Sequence, residues 1–182
     1  MPEYVILVNE QDEAVGFEEK SKTHQDGLLH RALSVFIFNS AGDSLLQKRA
    51  AKKYHSGGMW SNACCSHPAP GESITAAAHR RLKEEMGFDC EIEELFSFIY
   101  RVELNGGLIE HELDHVMVGM FDGEPTPNAD EIEDWEWVRS DELSDRMVAH
   151  PDKYTYWFRL SFAQVCKLFS NRKLSSSLER VA

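Results

Sequence analysis

The stretch that most constrains the fold of this chain is residues 60–87, because it contains a strongly patterned helix. Apolar side chains recur in it at every fourth position, at Ile74, Ala78, Leu82 and Met86. This period places them on one face of a helix, which must lie against a hydrophobic core. Glu72 is expected in the first turn, where a carboxylate suits the helix dipole, and Gly87 is expected as the C-terminal cap.

The same helix carries arginines and carboxylates at spacings that allow ion pairs. Arg80 lies four residues before Glu84, and Arg81 lies four residues before Glu85. Pairs with this spacing stabilise an exposed helix face. A solvated, salt-bridged surface is therefore the simplest interpretation of these charges taken alone.

The order of the charged residues supports a more specific interpretation. A carboxylate, an arginine, two adjacent carboxylates and a glycine follow one another at fixed intervals: Glu72, Arg80, Glu84, Glu85 and Gly87. This pattern resembles the Nudix box, a loop and helix that bind metal-complexed diphosphates. Two positions depart from the box, because Ser66 stands where it opens with glycine and Arg81 where it has glutamate. A Nudix hydrolase uses its box carboxylates to hold metals and activate water, so Arg81 argues against diphosphate hydrolysis.

The segment NACCSHP at residues 62–68 lies immediately before the box. Together with the two departures, it resembles the type 1 isopentenyl-diphosphate isomerases of the Nudix superfamily, over residues 5–157. The resemblance implies an α/β fold of the α+β kind, with one domain over residues 1–182. This domain would be a Nudix-like α/β/α sandwich around a mixed sheet, with a frayed tail from about residue 170.

The resemblance also implies an activity, the interconversion of isopentenyl diphosphate and dimethylallyl diphosphate. One carbon of the alkene is protonated and another is deprotonated, through a carbocation-like state. Cys65 would lie on one face of the substrate and Glu112, with Tyr100 close by, on the other. Trp157 would lie over the hydrocarbon tail, where an aromatic face stabilises positive charge. The family usually has proline before this tryptophan, and this chain has Tyr156.

Binding residues follow from the same resemblance. The expected metal ligands, for Mn²⁺ or Zn²⁺, are three histidines and two glutamates: His24, His30, His67, Glu110 and Glu112. Mixed imidazole and carboxylate ligation suits these ions better than a pure magnesium site. Mg²⁺ is expected to accompany the substrate diphosphate near Glu85, since it prefers oxygen ligands. The expected diphosphate ligands are four cations: Lys20, Arg49, Lys53 and Arg81.

Each of these residues also has a plain structural interpretation. A single histidine is most often on the surface or hydrogen-bonded in a core, and residues 110–114 alone fit a solvated strand edge. Cys64 and Cys65 alone would be small buried apolar residues. Trp60 is a second candidate for the aromatic wall. A solvated surface position suits Lys22, Lys48 and Lys52 at least as well as phosphate binding.

Composition limits the possible partners. The chain has 182 residues, which suits one domain, and 19 basic residues against 31 acidic ones, for a net charge of −12. Binding to nucleic acid or to a membrane surface needs a positive field, so we expect neither. A small diphosphate is the expected partner, provided that local cations or a metal reverse the field. The family's simplest members are monomeric, and a monomer is expected here.

The compartment follows from the cysteines and the N-terminus. Four cysteines show no CxxC pair and no disulfide-framework spacing, which is typical of a reducing compartment. Residues 1–4 lack a basic signal-peptide region, and no apolar run approaches 18 residues. A cytoplasmic protein is expected.

Hydrophobic patterning predicts the remaining elements. Strands are expected over 4–8, 32–38, 45–49, 95–102, 112–121 and 135–138. Helices are expected over 140–150 and 154–168, besides the patterned helix that has Glu72 in its first turn and Gly87 as its cap. The second and third strands are expected to form a hairpin through the turn at 39–43.

Two other functions remain open at this point. A Nudix hydrolase of nucleoside diphosphates would release phosphate from its substrate. A non-catalytic metal-binding or diphosphate-binding module would bind both ligands without changing the isomer ratio. Measurements of these three outcomes distinguish the hypotheses.

Overall fold

The computed structural model describes residues 3–179, with side chains as far as residue 171. Strands β1 to β9 comprise Tyr4–Val8, Ala14–Glu19, His30–Phe38, Asp43–Arg49, Trp60–Asn62, Cys64–Ser66, Ile92–Glu103, Ile109–Met120 and Ile132–Arg139. Helices α1 to α4 comprise Lys20–Asp26, Ile74–Met86, Ser140–Ala149 and Tyr156–Glu179. Short 3-10 turns lie at Asn105–Gly107 and Pro151–Lys153.

Strand β3 is the centre of a mixed sheet. It runs parallel to β8 over its whole length, from His30 opposite Glu112 to Phe38 opposite Met120. It also pairs antiparallel with β6, where Ser34 lies opposite Cys65. Strand β7 pairs with the far side of β8, and β9 pairs with β4. Because β3 has neighbours on both edges and is covered on both faces, eight of its nine residues are buried.

Helices cover both faces of this sheet. Leu33, Val35 and Ile37 of β3 lie in one hydrophobic cluster with residues of α2, such as Leu82. Phe36 and Phe38 point the other way, into a cluster with residues of α4, such as Phe158. Side chains alternate across a strand, so one apolar strand supplies both cores. The predicted α/β/α sandwich with a mixed sheet is confirmed.

Helix α2 ends where predicted, at Met86 before Gly87, but it begins later than predicted. Ser73 is its N-cap and accepts a hydrogen bond from the Ala76 N–H at 3.2 Å. Gly87 closes it with φ 76°, and a Cβ there would lie 2.3 Å from the Thr126 oxygen, so the cap must be glycine. The prediction that Glu72 lies in the first turn is wrong, because the capping serine starts the helix after it.

Other elements differ from the prediction. The helix α1 and the three-residue strands β5 and β6 were not foreseen. The expected hairpin between β3 and β4 is reduced to one pair, Phe38 with Ser44, because β4 turns away to pair with β9. Helix α4 continues to Glu179 instead of ending at 168, since the following residues contain no glycine or proline. The predicted tail from 170 is thus helical as far as 179, and its last residues, 180–182, lie outside the described part. Among the described residues, no helix combines the length and apolar character needed to cross a membrane.

Candidate active site

Sheet register brings three of the predicted site residues into one row. His30 on β3 lies opposite Glu112 on β8, which in turn lies opposite Tyr100 on β7. Residues paired in this way project from the same face of a sheet. The Tyr100 hydroxyl accordingly donates a hydrogen bond to Glu112 Oε2 at 2.5 Å.

A cluster of metal-binding side chains lies at the end of this row. One ligand atom from each of four buried residues lies within 4.8 Å of the others, and the residues are His24, His30, His67 and Glu112. The fifth predicted ligand, Glu110, forms an overlapping group with His24. Glu112 Oε1 lies 2.9 Å from His67 Nε2 and 3.5 Å from His30 Nε2. The structure thus brings together the five residues predicted as ligands.

The orientation of the imidazoles fits a cation. His24 Nδ1 lies 2.6 Å from the Lys20 carbonyl oxygen, and His30 Nδ1 lies 2.9 Å from that of Leu28. A carbonyl only accepts, so both Nδ1 atoms carry the proton and both Nε2 atoms keep a free lone pair. His30 Nε2 lies 3.2 Å from His67 Nε2, an arrangement of two facing nitrogens that a shared cation would stabilise.

Two buried atoms without a hydrogen-bond partner point to the same conclusion. His24 Nε2 and Glu110 Oε2 lie 3.4 Å apart, and neither makes a hydrogen bond. Leaving such groups unpaired inside a protein costs about 1–3 kcal/mol each. A divalent ion bound there would satisfy both, so the residues present fit a metal site.

Protonation states also suit ligation. Burial lowers the pKa of His67 to about 3, so its imidazole is neutral. Burial and the nearby Glu110 both raise the pKa of Glu112, but the adjacent imidazoles of His30 and His67 lower it by more, so it lies below its ordinary value. Metal binding requires neutral imidazoles and ionised carboxylates.

Cys65 lies beside this row, on the short strand β6. Its thiol donates to Asn62 Oδ1 at 3.0 Å and accepts from Trp157 Nε1 at 3.0 Å. Burial raises its pKa to about 12, so the group is a thiol and not a thiolate at neutral pH. The neighbouring Cys64 is fully buried in the core against α2, as expected of a packing residue.

Two further acidic groups near the row have raised pKa values. Burial raises the pKa of Tyr100 well above its ordinary value, and the charges of Glu112 and Glu110 add to this effect. Asp114 is fully buried on the same face of β8, accepting a hydrogen bond from Ser34 at 2.8 Å. Burial also raises its pKa far above the usual range. Sequence reasoning noted Asp114 only as part of a strand, since nothing local indicates its burial.

Two cavities meet at this site. An inner cavity of about 50 Å³ is lined by Cys65, Tyr100, Glu112 and Trp157, among others. It shares several lining residues with the larger outer cleft, among them Arg49, His55 and His67. Tyr156 occupies the first position of α4, where proline is favoured, and Trp157 still reaches the cavity. The other tryptophan candidate, Trp60, lines neither this cavity nor its outer neighbour.

The outer cleft, of about 520 Å³, is lined by all four predicted phosphate ligands: Lys20, Arg49, Lys53 and Arg81. Three of them already contact carboxylates of the protein. Lys20 lies 3.2 Å from Glu3, Lys53 contacts Glu131, and Arg81 lies 2.6 Å from Glu85. The guanidinium of Arg49 instead lies 5.5 Å from the centre of the Trp157 ring.

Other charged residues take different positions. Lys22 and Lys48 line neither cavity, whereas Lys52 lies at the rim of the outer one, paired with Asp130. Glu85 is buried, with Oε1 against Arg81 and Oε2 3.3 Å from Gln47. It lies outside both groups of metal-binding side chains, so its role as a magnesium ligand stays a prediction.

Sequence reasoning missed one histidine of the site. His55, in the loop between β4 and β5, lies with its Nε2 atom 2.9 Å from Glu110 Oε1. It forms a group with His24 and Glu110 and lines both cavities. Its neighbours Ser56, Gly57 and Gly58 are typical of a flexible loop, so no local signal identified it.

Known proteins are similar in sequence to this chain. A family profile described as NUDIX domain matches residues 28–158. The chain is 48% identical over 181 residues to Isopentenyl-diphosphate Delta-isomerase 2 of Aromatoleum aromaticum, an alignment that covers 100% of this chain and 96% of that protein. It is 52% identical over 161 residues to the Isopentenyl-diphosphate Delta-isomerase of Pectobacterium atrosepticum, with 88% and 90% covered.

Solved structures share the fold. A crystal structure of a Deinococcus radiodurans protein matches with a TM-score of 0.67 at 23% identity, over 81% of this chain and 90% of that one. A MutT NUDIX hydrolase from Burkholderia pseudomallei matches with a TM-score of 0.61 at 25% identity, over 75% and 98%. One fold therefore occurs in proteins named as isomerases and in proteins named as hydrolases, so the side chains of the site must decide the reaction.

Proposed function

The chain belongs to the NUDIX domain family and, within it, to the isopentenyl-diphosphate Delta-isomerases, and we propose that its site interconverts isopentenyl and dimethylallyl diphosphate. The observation that carries the proposal is the inner cavity, in which Cys65 and the pair of Glu112 and Tyr100 line one small space. A neutral thiol and a carboxylate there are suited to adding one proton and removing another.

The two proton transfers are assigned to opposite faces of the substrate. One proton is added to the terminal alkene carbon and one is removed from the carbon two bonds away, so the composition of the molecule is unchanged. Cys65 and Glu112 form the donor and acceptor pair, and Tyr100 is hydrogen-bonded to the carboxylate. An alkene is a poor base, so the thiol must be held protonated in a dry cavity, which its raised pKa supports.

The intermediate state carries positive charge on carbon. The indole of Trp157 lines the cavity, and the guanidinium of Arg49 already lies against its ring. An aromatic face stabilises a cation without forming a bond to it. The thiol of Cys65, which accepts the Trp157 N–H, is thereby held at the edge of this ring.

The metal is assigned to the five clustered ligands: His24, His30, His67, Glu110 and Glu112. When bound, Mn²⁺ or Zn²⁺ would increase the acidity of neighbouring groups and would hold Glu112 in place. We assign Mg²⁺ to the substrate diphosphate near Glu85, with Lys20, Arg49, Lys53 and Arg81 binding the phosphate oxygens.

Proton NMR in deuterated water tests the reaction. The purified protein is incubated with isopentenyl diphosphate and Mg²⁺. Dimethylallyl diphosphate with deuterium in a methyl group is the expected product. Inorganic phosphate or a monophosphate would instead assign the protein to the hydrolases. Unchanged substrate, with metal content confirmed, would leave a binding module.

Two substitutions test the roles. Cys65→Ala and Glu112→Gln are each expected to lower kcat by at least about 10³-fold, in the range of lost acid–base catalysis. Cys64→Ala is the matched control, because this thiol is buried away from the cavity, and it should keep most of the activity. Near-normal turnover by a folded Cys65→Ala protein would refute the assignment of the thiol.

A further inference from the structure

His55 is built into the wall of the metal cluster. Its side chain is only 10% exposed, and its ring lies 5.6 Å from that of His24 and 6.0 Å from that of Trp157, between centroids. Arg49 Nη2 donates to the His55 carbonyl oxygen at 3.2 Å, which fixes the loop from behind. The position of this imidazole is thus determined by packing and by a backbone contact, although the loop sequence is rich in glycine.

The group of His24, His55 and Glu110 cannot hold an ion of its own beside the cluster. His24 Nδ1 carries its proton toward the Lys20 carbonyl, so Nε2 is its only lone pair. The same Nε2 belongs to the group with His30, His67 and Glu112. One lone pair binds one ion, so both groups describe a single site, and His55 either joins its ligands or acts through Glu110.

The two oxygens of Glu110 decide between these roles. Oε2 faces His24 Nε2 and has no hydrogen-bond partner, whereas Oε1 lies 2.9 Å from His55 Nε2. His55 Nε2 thus contacts the oxygen of Glu110 other than the one nearest His24. A hydrogen bond from His55 to Oε1 fixes the rotation of the carboxylate and leaves Oε2 directed at His24.

We propose that His55 is a positioning residue that holds Glu110 by a hydrogen bond to Oε1, so that Oε2 is presented to the metal. The inference rests on the metal site of the proposed function, but not on the reaction. Partners of this kind orient ligating carboxylates, and their loss typically weakens metal binding 10- to 100-fold.

The first experiment measures Zn²⁺ affinity of the full chain by competition with a chromophoric chelator. His55→Ala is expected to weaken binding about 10- to 100-fold. His55→Gln is expected to recover part of the loss, because its amide N–H₂ can donate to the same carboxylate oxygen. His79→Ala is the matched control, because His79 lies on α2 and its imidazole pairs with Asp89. This variant should bind Zn²⁺ as the unaltered protein does.

The second experiment separates positioning from ligation. X-ray absorption of the Zn²⁺-loaded protein should count three imidazoles, both in the unaltered chain and in His55→Gln. Four imidazoles that fall to three in the variant would overturn the proposal and make His55 a ligand. Unchanged affinity in His55→Ala and His55→Gln would also overturn it. Neither measurement uses the substrate, so an inactive protein that still shows these effects would refute the isomerase and leave the inference standing.

Discussion

Glu131 occupies the place where a diphosphate is proposed to bind. Its carboxylate contacts Lys53 and lies 3.7 Å from Arg81 Nη2, at the lining of the outer cleft. Burial raises the pKa of Glu131, but the hydrogen bond and the charge of Lys53 lower it by more. The pKa of this carboxyl group therefore lies below its ordinary value, which favours the ionised form. A diphosphate that binds the four proposed cations must therefore displace Glu131 from two of them, Lys53 and Arg81.

Removing the charge of Glu131 should strengthen substrate binding. Glu131→Gln is expected to lower KM for isopentenyl diphosphate roughly two- to fivefold, equivalent to about 0.5–1 kcal/mol for one partly exposed ion pair. Steady-state kinetics measure this effect, with kcat expected within about twofold of the unaltered value. Glu133→Gln is the control, because its partner Lys48 lines neither cavity. A higher KM for Glu131→Gln would show that this carboxylate supports binding.

Residue identities were predictable where a motif carried them. Cys65, His67 and Arg81 lie in the segment whose spacing resembles a known family, and the structure places all three at the cavities. The burial of Asp114 and the contact of His55 with Glu110 were not predictable. Both depend on burial by segments far away in the chain.

At the scale of elements, Glu72 joins the loop after β6 to helix α2. Its two oxygens accept from Arg80 Nε and Nη2, each at 2.7 Å, and Oε2 also accepts from the Ala69 N–H at 2.9 Å. The hydrogen bond from Arg80 is the main cause of a lowered pKa for Glu72. The residue that sequence analysis placed inside the helix therefore acts as a brace across its entry.

The contribution of this brace should depend on pH. Because the folded pKa of Glu72 lies below the unfolded one, its stabilisation is complete above about pH 4.5 and is lost as the pH falls through the folded value. Glu72→Gln is expected to lower the free energy of unfolding by about 1–2 kcal/mol at pH 7, and by progressively less below about pH 4.5. Urea unfolding from pH 7 to pH 3 measures the difference. The exposed Glu124→Gln is the control, and a difference for Glu72→Gln that is independent of pH would contradict the assignment.

Long elements with a repeated hydrophobic pattern were predicted well, and short elements were not. Helix α2 has an apolar stripe over 13 residues, and its existence and its C-terminal end were predicted, whereas β5 and β6 have three residues each. Three residues are too few to show a strand period. Helix α1 is short and polar, and its buried residues are Thr23 and His24. The proposed metal ligation explains why His24 is buried, and hydrophobic patterning could not have predicted this burial.

At the scale of the whole molecule, the metal cluster joins segments that are distant in the chain. His24 comes from α1, His30 from β3, His67 from the loop after β6, and Glu112 from β8. An ion bound to all of them links the N-terminal part to the centre of the sheet. The fold and its metal should therefore be coupled in stability.

Removing the metal should destabilise the protein. With free metal at about 100 times its dissociation constant, binding adds about 2.7 kcal/mol to the free energy of unfolding. Thermal unfolding should show a lower Tm after chelation, restored by Mn²⁺ or Zn²⁺, and faster amide exchange in α1. His24→Ala should greatly reduce the effect of added metal. Equal Tm and equal exchange with and without metal would show that the cluster does not hold an ion.

The pairing of β3 with two neighbours limits how a gene for this protein can change in length. His30 matches Glu112 and Ser34 matches Cys65 in fixed registers. If one codon is gained or lost within β3, residues on one side of the change shift by one position in the register. His30 then no longer projects from the same face as Glu112, or Ser34 from the same face as Cys65. Gly106 and Gly107 are exposed, and nothing lies within 4 Å of a Cβ added to either, so we expect this turn to accept an extra residue. In a library of single-codon insertions, survivors should thus be depleted in β3 and common in this turn.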